Sequence, residues 1–173
     1  MRSGVRIGID VGKARIGVAR TDLHGMLATP VETVARDTAG SVDIARILSI
    51  AEEISAVEFV VGLPLNMSGN RTPSTEDAEE FAQRIATAVS TSPAFSADVE
   101  VRLIDERLST VSAHGQLRQA GKKTKQTKQI IDQAAAVIIL QQALDMERAR
   151  GAAPGTVVAP LASSTDSATT PDS

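Results

Sequence analysis

The stretch Val5-Arg-Ile-Gly-Ile-Asp10-Val-Gly-Lys-Ala-Arg15-Ile-Gly-Val-Ala-Arg20 decides the fold. Val5, Ile7, Ile9 and Val11 alternate with Arg6, Gly8 and Asp10, which is the period of a strand. Gly12 and its successors read as a short turn and 15–20 as a second strand, so the two form a hairpin. A third strand is expected over 26–34, with Pro30 best placed near a sheet edge. Beyond this meander, Val42, Ala45, Ile47, Leu48, Ala51 and Ile54 fall at helical spacing and predict a helix over 41–55. A strand follows at 59–65, then a loop rich in Gly, Ser, Pro and Asn to 75. The helix expected over 74–89 carries Glu76, Asp77, Glu79 and Glu80 in its first turns, where the helix dipole favours acids. A strand at 99–105, a short helix at 109–121 and a long helix at 129–148 complete the order. The meander implies antiparallel pairing and the later alternation implies parallel crossovers. The expected architecture is therefore α/β, with helices on both faces of a mixed five-stranded sheet. Its strands form a three-stranded antiparallel meander plus parallel strands.

The chain has 173 residues and no cysteine, which excludes disulfides, thiolate zinc sites, iron–sulfur clusters and a cysteine nucleophile. Aromatics are three Phe, without Trp or Tyr, so a site built by stacking bases on rings is not expected. With a net charge of −3, bulk electrostatics will not draw the chain onto nucleic acid, and any such contact needs a local patch. Asp10 interrupts any leader-like apolar run, and the longest apolar stretch, 134–140, is far short of a membrane span. The expectation is a cytoplasmic protein with no membrane partner. Composition shifts after Arg150 to Ser, Thr, Pro and Ala. This divides the chain into a domain over 1–150 and a tail over 151–173 that is expected to be disordered.

Three acids stand at unusual places. Asp10 lies on the first strand beside Gly8, with Gly12, Gly17 and Ala19 in the hairpin leaving room for a ligand or another backbone. Glu106 directly follows the strand 99–105, and ligands bind at the carboxyl ends of parallel strands. Asp132 shares the apolar stripe of Ala135, Ala136, Ile139, Ala143 and Met146, so it sits on the helix face that packs on the sheet. Singly, each has an ordinary reading: a turn acid, a loop acid balanced by Arg107, and an acid complementing the helix dipole. Together they could converge at one sheet edge. Carboxylate-only sites suit hard cations, magnesium or manganese. Two such ions can activate a water and stabilise the leaving oxygen in phosphodiester hydrolysis.

Four of the five lysines, Lys122, Lys123, Lys125 and Lys128, fall within seven residues, and no acid occurs from 107 to 131. With Arg107 and Arg118, this run is a solvated loop or the place where a phosphate backbone is neutralised.

These stretches resemble the YqgF family of the ribonuclease H-like superfamily. The matching runs are Gly8-Ile-Asp-Val-Gly-Lys-Ala-Arg-Ile-Gly-Val-Ala19, Val60-Val-Gly-Leu-Pro-Leu-Asn66 with Gly69, Asp105-Glu-Arg-Leu-Ser-Thr110, and Asp132-Gln-Ala-Ala-Ala-Val-Ile-Ile-Leu140. The resemblance spans about residues 5–148 and places the family's three acidic positions on Asp10, Glu106 and Asp132. One departure is Ala14, where the family often has Lys. The family is described both as pre-ribosomal RNA nucleases and as Holliday junction resolvases. The resemblance thus implies a ribonuclease H-like fold and a metal-dependent nuclease acting on pre-16S ribosomal RNA. Cleavage of four-way DNA junctions is the alternative, and it would call for a homodimer presenting two sites. Two rivals come from other classes. An actin-like phosphotransferase shares Asp10-x-Gly12 but needs a second such domain, which this chain lacks. A non-catalytic RNA-binding module would not need all three acids.

Overall fold

The structure, a computed structural model, describes residues 2–106 and 125–161, with side chains of the last helix described from residue 128. Strand β1 (Arg6–Val11) pairs antiparallel with β2 (Arg15–Thr21), which pairs antiparallel with β3 (Ala28–Ala35). The chain then crosses through α1 (Val42–Glu53) to β4 (Glu58–Leu63), which lies parallel to β1. It crosses again through α2 (Pro73–Thr91) to β5 (Glu100–Asp105), parallel to β4. The long helix α3 (Lys125–Arg150) precedes a short strand, β6 (Thr156–Val157), antiparallel to β5. The sheet order is β3-β2-β1-β4-β5-β6.

The alternation read from β1 sorts the molecule into two packed layers. Ile7, Ile9, Ile16, Val18, Phe59, Val61 and Val101 face α1 and α2, burying Ile44, Ile47, Ile50, Phe81, Ile85 and Val89. Ala19, Val60 and Ile104 face α3 and pack on Ala136, Ile139, Leu140 and Ala143. The small residues on this second face let α3 come close. A Cβ on Gly8 would lie 2.7 Å from the Leu140 Cβ and 3.0 Å from the Ala136 carbonyl oxygen. Helix α2 starts where its sequence says it should. Thr72 and Thr75 form a reciprocal capping box ahead of Pro73 at the first helical position.

Two expectations need correction. The sheet has six strands rather than five, and residues 151–161 are not a disordered tail. Gly151 and Gly155, at φ 72° and 82°, turn the chain back so that β6 pairs with β5. The amide of Val158 then donates to the Val101 carbonyl (2.8 Å) and that of Leu161 to Thr87 Oγ1 (3.0 Å). Composition misleads here because backbone pairing supplies most of the order; of the side chains, Val158 packs against the core and Pro154 is buried. Residues 162–173 lie outside the described residues, as do Arg107, Arg118, Lys122, Lys123 and the short helix expected at 109–121.

At the end of the sheet where β1 and β4 begin, charges are buried in pairs. Arg6, 1% exposed, donates to the Gly4 and Arg2 carbonyls and to Glu147 near the end of α3 (2.9, 2.7 and 3.3 Å). Arg2 bridges Glu147 and Glu58 at 2.6 and 2.8 Å, and Arg102 approaches Glu58 at 3.5 Å. Burial pushes the Glu58 carboxyl up, and its arginines only partly offset this. Burial also works against ionised Glu147, but the hydrogen bond and charge of Arg2, with the charge of Arg6, outweigh it and hold that carboxyl below its ordinary range.

Candidate active site

At the opposite end of the sheet, Asp10 stands between two glycines. It pairs directly with Gly17 on β2, and residues opposite one another on antiparallel strands point to the same face. On its other side Ile9 is level with Val61, so continuing the parallel register by one residue sets Asp10 beside Gly62 on β4. Asp10 shares the parity of Gly8, whose open face meets α3. All three positions therefore face α3.

Each glycine makes room for another of the three acids. The space a Cβ on Gly17 would take is filled by the backbone carbonyl of Asp132, and that on Gly62 by the Glu106 carboxylate, with the Ile139 Cδ1 2.6 Å away. Glu106 follows the last residue of β5 and folds back over β4. Asp10, Glu106 and Asp132 thus occupy one face at one end of the sheet, delivered by a strand, a strand end and a helix. All three are partly buried.

The carboxylates are not drawn into a closed cage. Asp132 accepts a hydrogen bond from Arg15 Nε at 2.7 Å. Among the described residues, no group of three or more His, Cys, Asp or Glu side chains is gathered so as to hold a metal ion. The donor set is nonetheless oxygen-only, and a hard divalent cation is the group such donors suit. Glycines on both sides of Asp10 let the other two acids come close to it.

Several positioning contacts surround the acids. Thr33, opposite Gly17, donates its hydroxyl to the Gln129 carbonyl (3.0 Å) and accepts from Gln133 Nε2 (3.1 Å), fixing the start of α3 against the meander. The turn after Asp10 is locked from the other layer. Arg36 donates to the Gly12 carbonyl (2.9 Å), grips Asp77 with two bonds (2.9 and 3.0 Å), and lies 5.1 Å above the Phe81 ring. Lys128 is exposed in the early turns of α3; Lys125 begins that helix. Sequence reasoning missed Gly62, Arg15 and Thr33 as parts of this site. A strand glycine does signal a close approach, but nothing local says which residue approaches.

The family model for RuvX, described as Holliday junction resolvase, matches residues 4–146. A protein of Clavibacter sepedonicus named "Putative pre-16S rRNA nuclease" is 58% identical over 158 residues, which cover 91% of this chain and 93% of that one. A protein of the same name from Leifsonia xyli subsp. xyli is 54% identical over 160 residues, covering 92% and 97%. Among solved structures, T. thermophilus RuvC in complex with a Holliday junction substrate superposes with a TM-score of 0.56 at 16% identity, over 87% of this chain and 99% of that one. At that identity the likeness concerns the fold, which is ribonuclease H-like.

Proposed function

The chain belongs to the RuvX family, and from that membership we propose a divalent-metal nuclease that hydrolyses phosphodiester bonds of structured RNA, its substrate being the 5′ end of pre-16S ribosomal RNA. The observation that carries this reading is the placement of Asp10 between Gly17 and Gly62, each covered by another of the three acids. Asp10, Glu106 and Asp132 would hold the metal, which we take to be two magnesium or manganese ions. Bound there, the ions supply an activated water and charge stabilisation for the leaving oxygen.

The chain's own residues have distinct parts to play. Asp10 is fixed by its strand, and its exit turn is fixed by Arg36. Glu106 is set by the cavity above Gly62, and Asp132 by the Thr33 contacts that seat α3. Arg15 holds Asp132 by one carboxylate oxygen, so a cation binding there would compete with that guanidinium. Lys122, Lys123, Lys125 and Lys128, with Arg107 and Arg118, would neutralise the phosphate backbone. Removing all four lysine charges should lower the salt slope of binding by roughly three to four units.

Cleavage of a pre-16S precursor and of a four-way DNA junction, measured side by side with magnesium or manganese, tests the assignment. Asp10→Asn should lose cleavage by about a thousandfold, several kcal/mol of transition-state stabilisation, and should melt no lower than the parent. Cleavage that persists in excess EDTA, or an Asp10→Asn variant that is destabilised yet active, would sink the reading. The family description favours one second reading, junction resolution. It requires a dimer with two sites, so preference for the junction together with dimeric sedimentation would replace the RNA assignment.

A further inference from the structure

Met67 is 99% exposed, more than any other large apolar side chain among the described residues; Val42 follows at 74%. Folding gains nothing from a side chain left wholly in water. Yet the turn that displays it is tightly built. The Asn66 side chain accepts from the amides of Ser68 (3.0 Å) and Asn70 (2.8 Å). The Asn66 amide donates to the Asn70 carbonyl (3.1 Å), and Gly69, at φ 82°, donates to the Asn66 carbonyl (2.9 Å). At the base of the loop, the Thr75 hydroxyl of the α2 capping box donates to the Pro64 carbonyl. Met67 follows Gly62, the residue beneath the Glu106 carboxylate, by five positions, within about 17 Å even at full extension. A pinned turn therefore holds one apolar side chain out in the loop that leaves β4 at the sheet end carrying the three acids.

Composition narrows what that side chain can meet. The chain has no Trp or Tyr. Phe59 and Phe81 are buried, and Phe95 packs edge-on against Phe59 at 6.1 Å. Apolar contact with a nucleobase near the site then falls to an aliphatic group. Methionine, unbranched and polarizable, packs well on aromatic faces, and apolar side chains of this kind act as wedges between base steps.

We propose that Met67 is such a wedge: it packs on the face of a nucleobase beside the scissile bond and parts that base from its neighbour at a helix end or branch. The proposal rests on the nuclease reading above. The turn supplies the wedge in its working position, so little order is lost on binding.

The test uses the full chain with calcium in place of magnesium, and 2-aminopurine at the branch nucleotides of a four-way DNA junction or at a helix end of an RNA precursor fragment. Binding should raise the fluorescence as the base unstacks. Met67→Ala should abolish most of that rise and weaken binding about fivefold, while Met67→Leu retains both. Asn66→Ala, which unpins the turn but keeps the side chain, should fall between them. The melting temperature of Met67→Ala should match the parent, because the residue is exposed. A Met67→Ala protein that binds and gives the parent's full fluorescence rise overturns the wedge and leaves the nuclease reading intact. A parent that neither binds nor cleaves either substrate removes the nuclease reading itself, and the wedge with it.

Discussion

The two ends of the central sheet handle carboxylates in opposite ways. Where β1 and β4 begin, Glu58 and Glu147 are interleaved with Arg2, Arg6 and Arg102, and guanidinium groups fill the space beside each acid. Where the same strands end, the neighbours of Asp10 are glycines, and the space they leave is taken by Asp132 and Glu106. One end spends its charges on one another and is closed. The other brings three acids to one face, where the glycines admit the Glu106 carboxylate and the backbone of Asp132, and Arg15 answers the Asp132 carboxylate. In the nuclease reading proposed above, a cation would complete this second arrangement, whereas the first needs nothing added. A single helix joins the two, since α3 carries Asp132 near its start and Glu147 near its end.

Substitutions that treat the two ends alike should separate them. At the paired end, Glu147→Gln should cost about 3 kcal/mol, because Arg6 is left buried without its counter-charge, and should leave cleavage per folded molecule unchanged. Its pH dependence has a definite sign. The native Glu147 carboxyl is held low, so its contribution is full above the ordinary carboxylate range and disappears as pH falls through the lowered native value. Denaturant melts at pH 7 and pH 3 should therefore show the variant and parent converging at the lower pH. Glu58 is pushed up by burial, so its ionised form is a burden as pH rises through that raised value. Glu58→Gln should be neutral or stabilising at pH 7. A loss as large as that of Glu147→Gln would show that the arginines, not burial, dominate there.

At the glycine end, Gly62→Ala should displace Glu106 and lower cleavage about a hundredfold, the scale of a 1 Å misplacement. The melting temperature, read in parallel, should fall only modestly. Unchanged activity would mean that the Glu106 position above β4 does not matter to catalysis. The smallest effect expected is that of Arg15→Gln. This partly buried pair with Asp132 should contribute about 0.5 kcal/mol. Removing it should lower the magnesium concentration that half-saturates thermal stabilisation, because the cation no longer competes with a guanidinium. A higher requirement would show that Arg15 helps to hold the site open.

Much of this was legible in the sequence, and the reasons for the rest are physical. The parity of 5–20 gave the hairpin and the two faces of β1, because alternation is a local property of the strand. The ribonuclease H-like fold followed from four ordered motifs. Asp10, Glu106 and Asp132 stood out because acids amid apolar residues are costly. Gly62 did not, because what covers it is a side chain 44 positions further on. Arg15 and Asp132 are separated by 117 positions, and no local pattern links them. Strand β6 escaped notice because a two-residue ladder leaves almost no mark on composition.

That last strand affects how the molecule keeps company with its own copies. A sheet ends in rows of unpaired amides and carbonyls, an invitation to add a strand from another chain. Here one border is β3, interrupted by Pro30 and by an irregular register opposite Val18 and Ala19. The other would be the full length of β5, were it not capped by β6, which is too short to template a ladder. Neither border suits fibre-like growth, and shortening the chain before residue 156 would uncover a sticky edge.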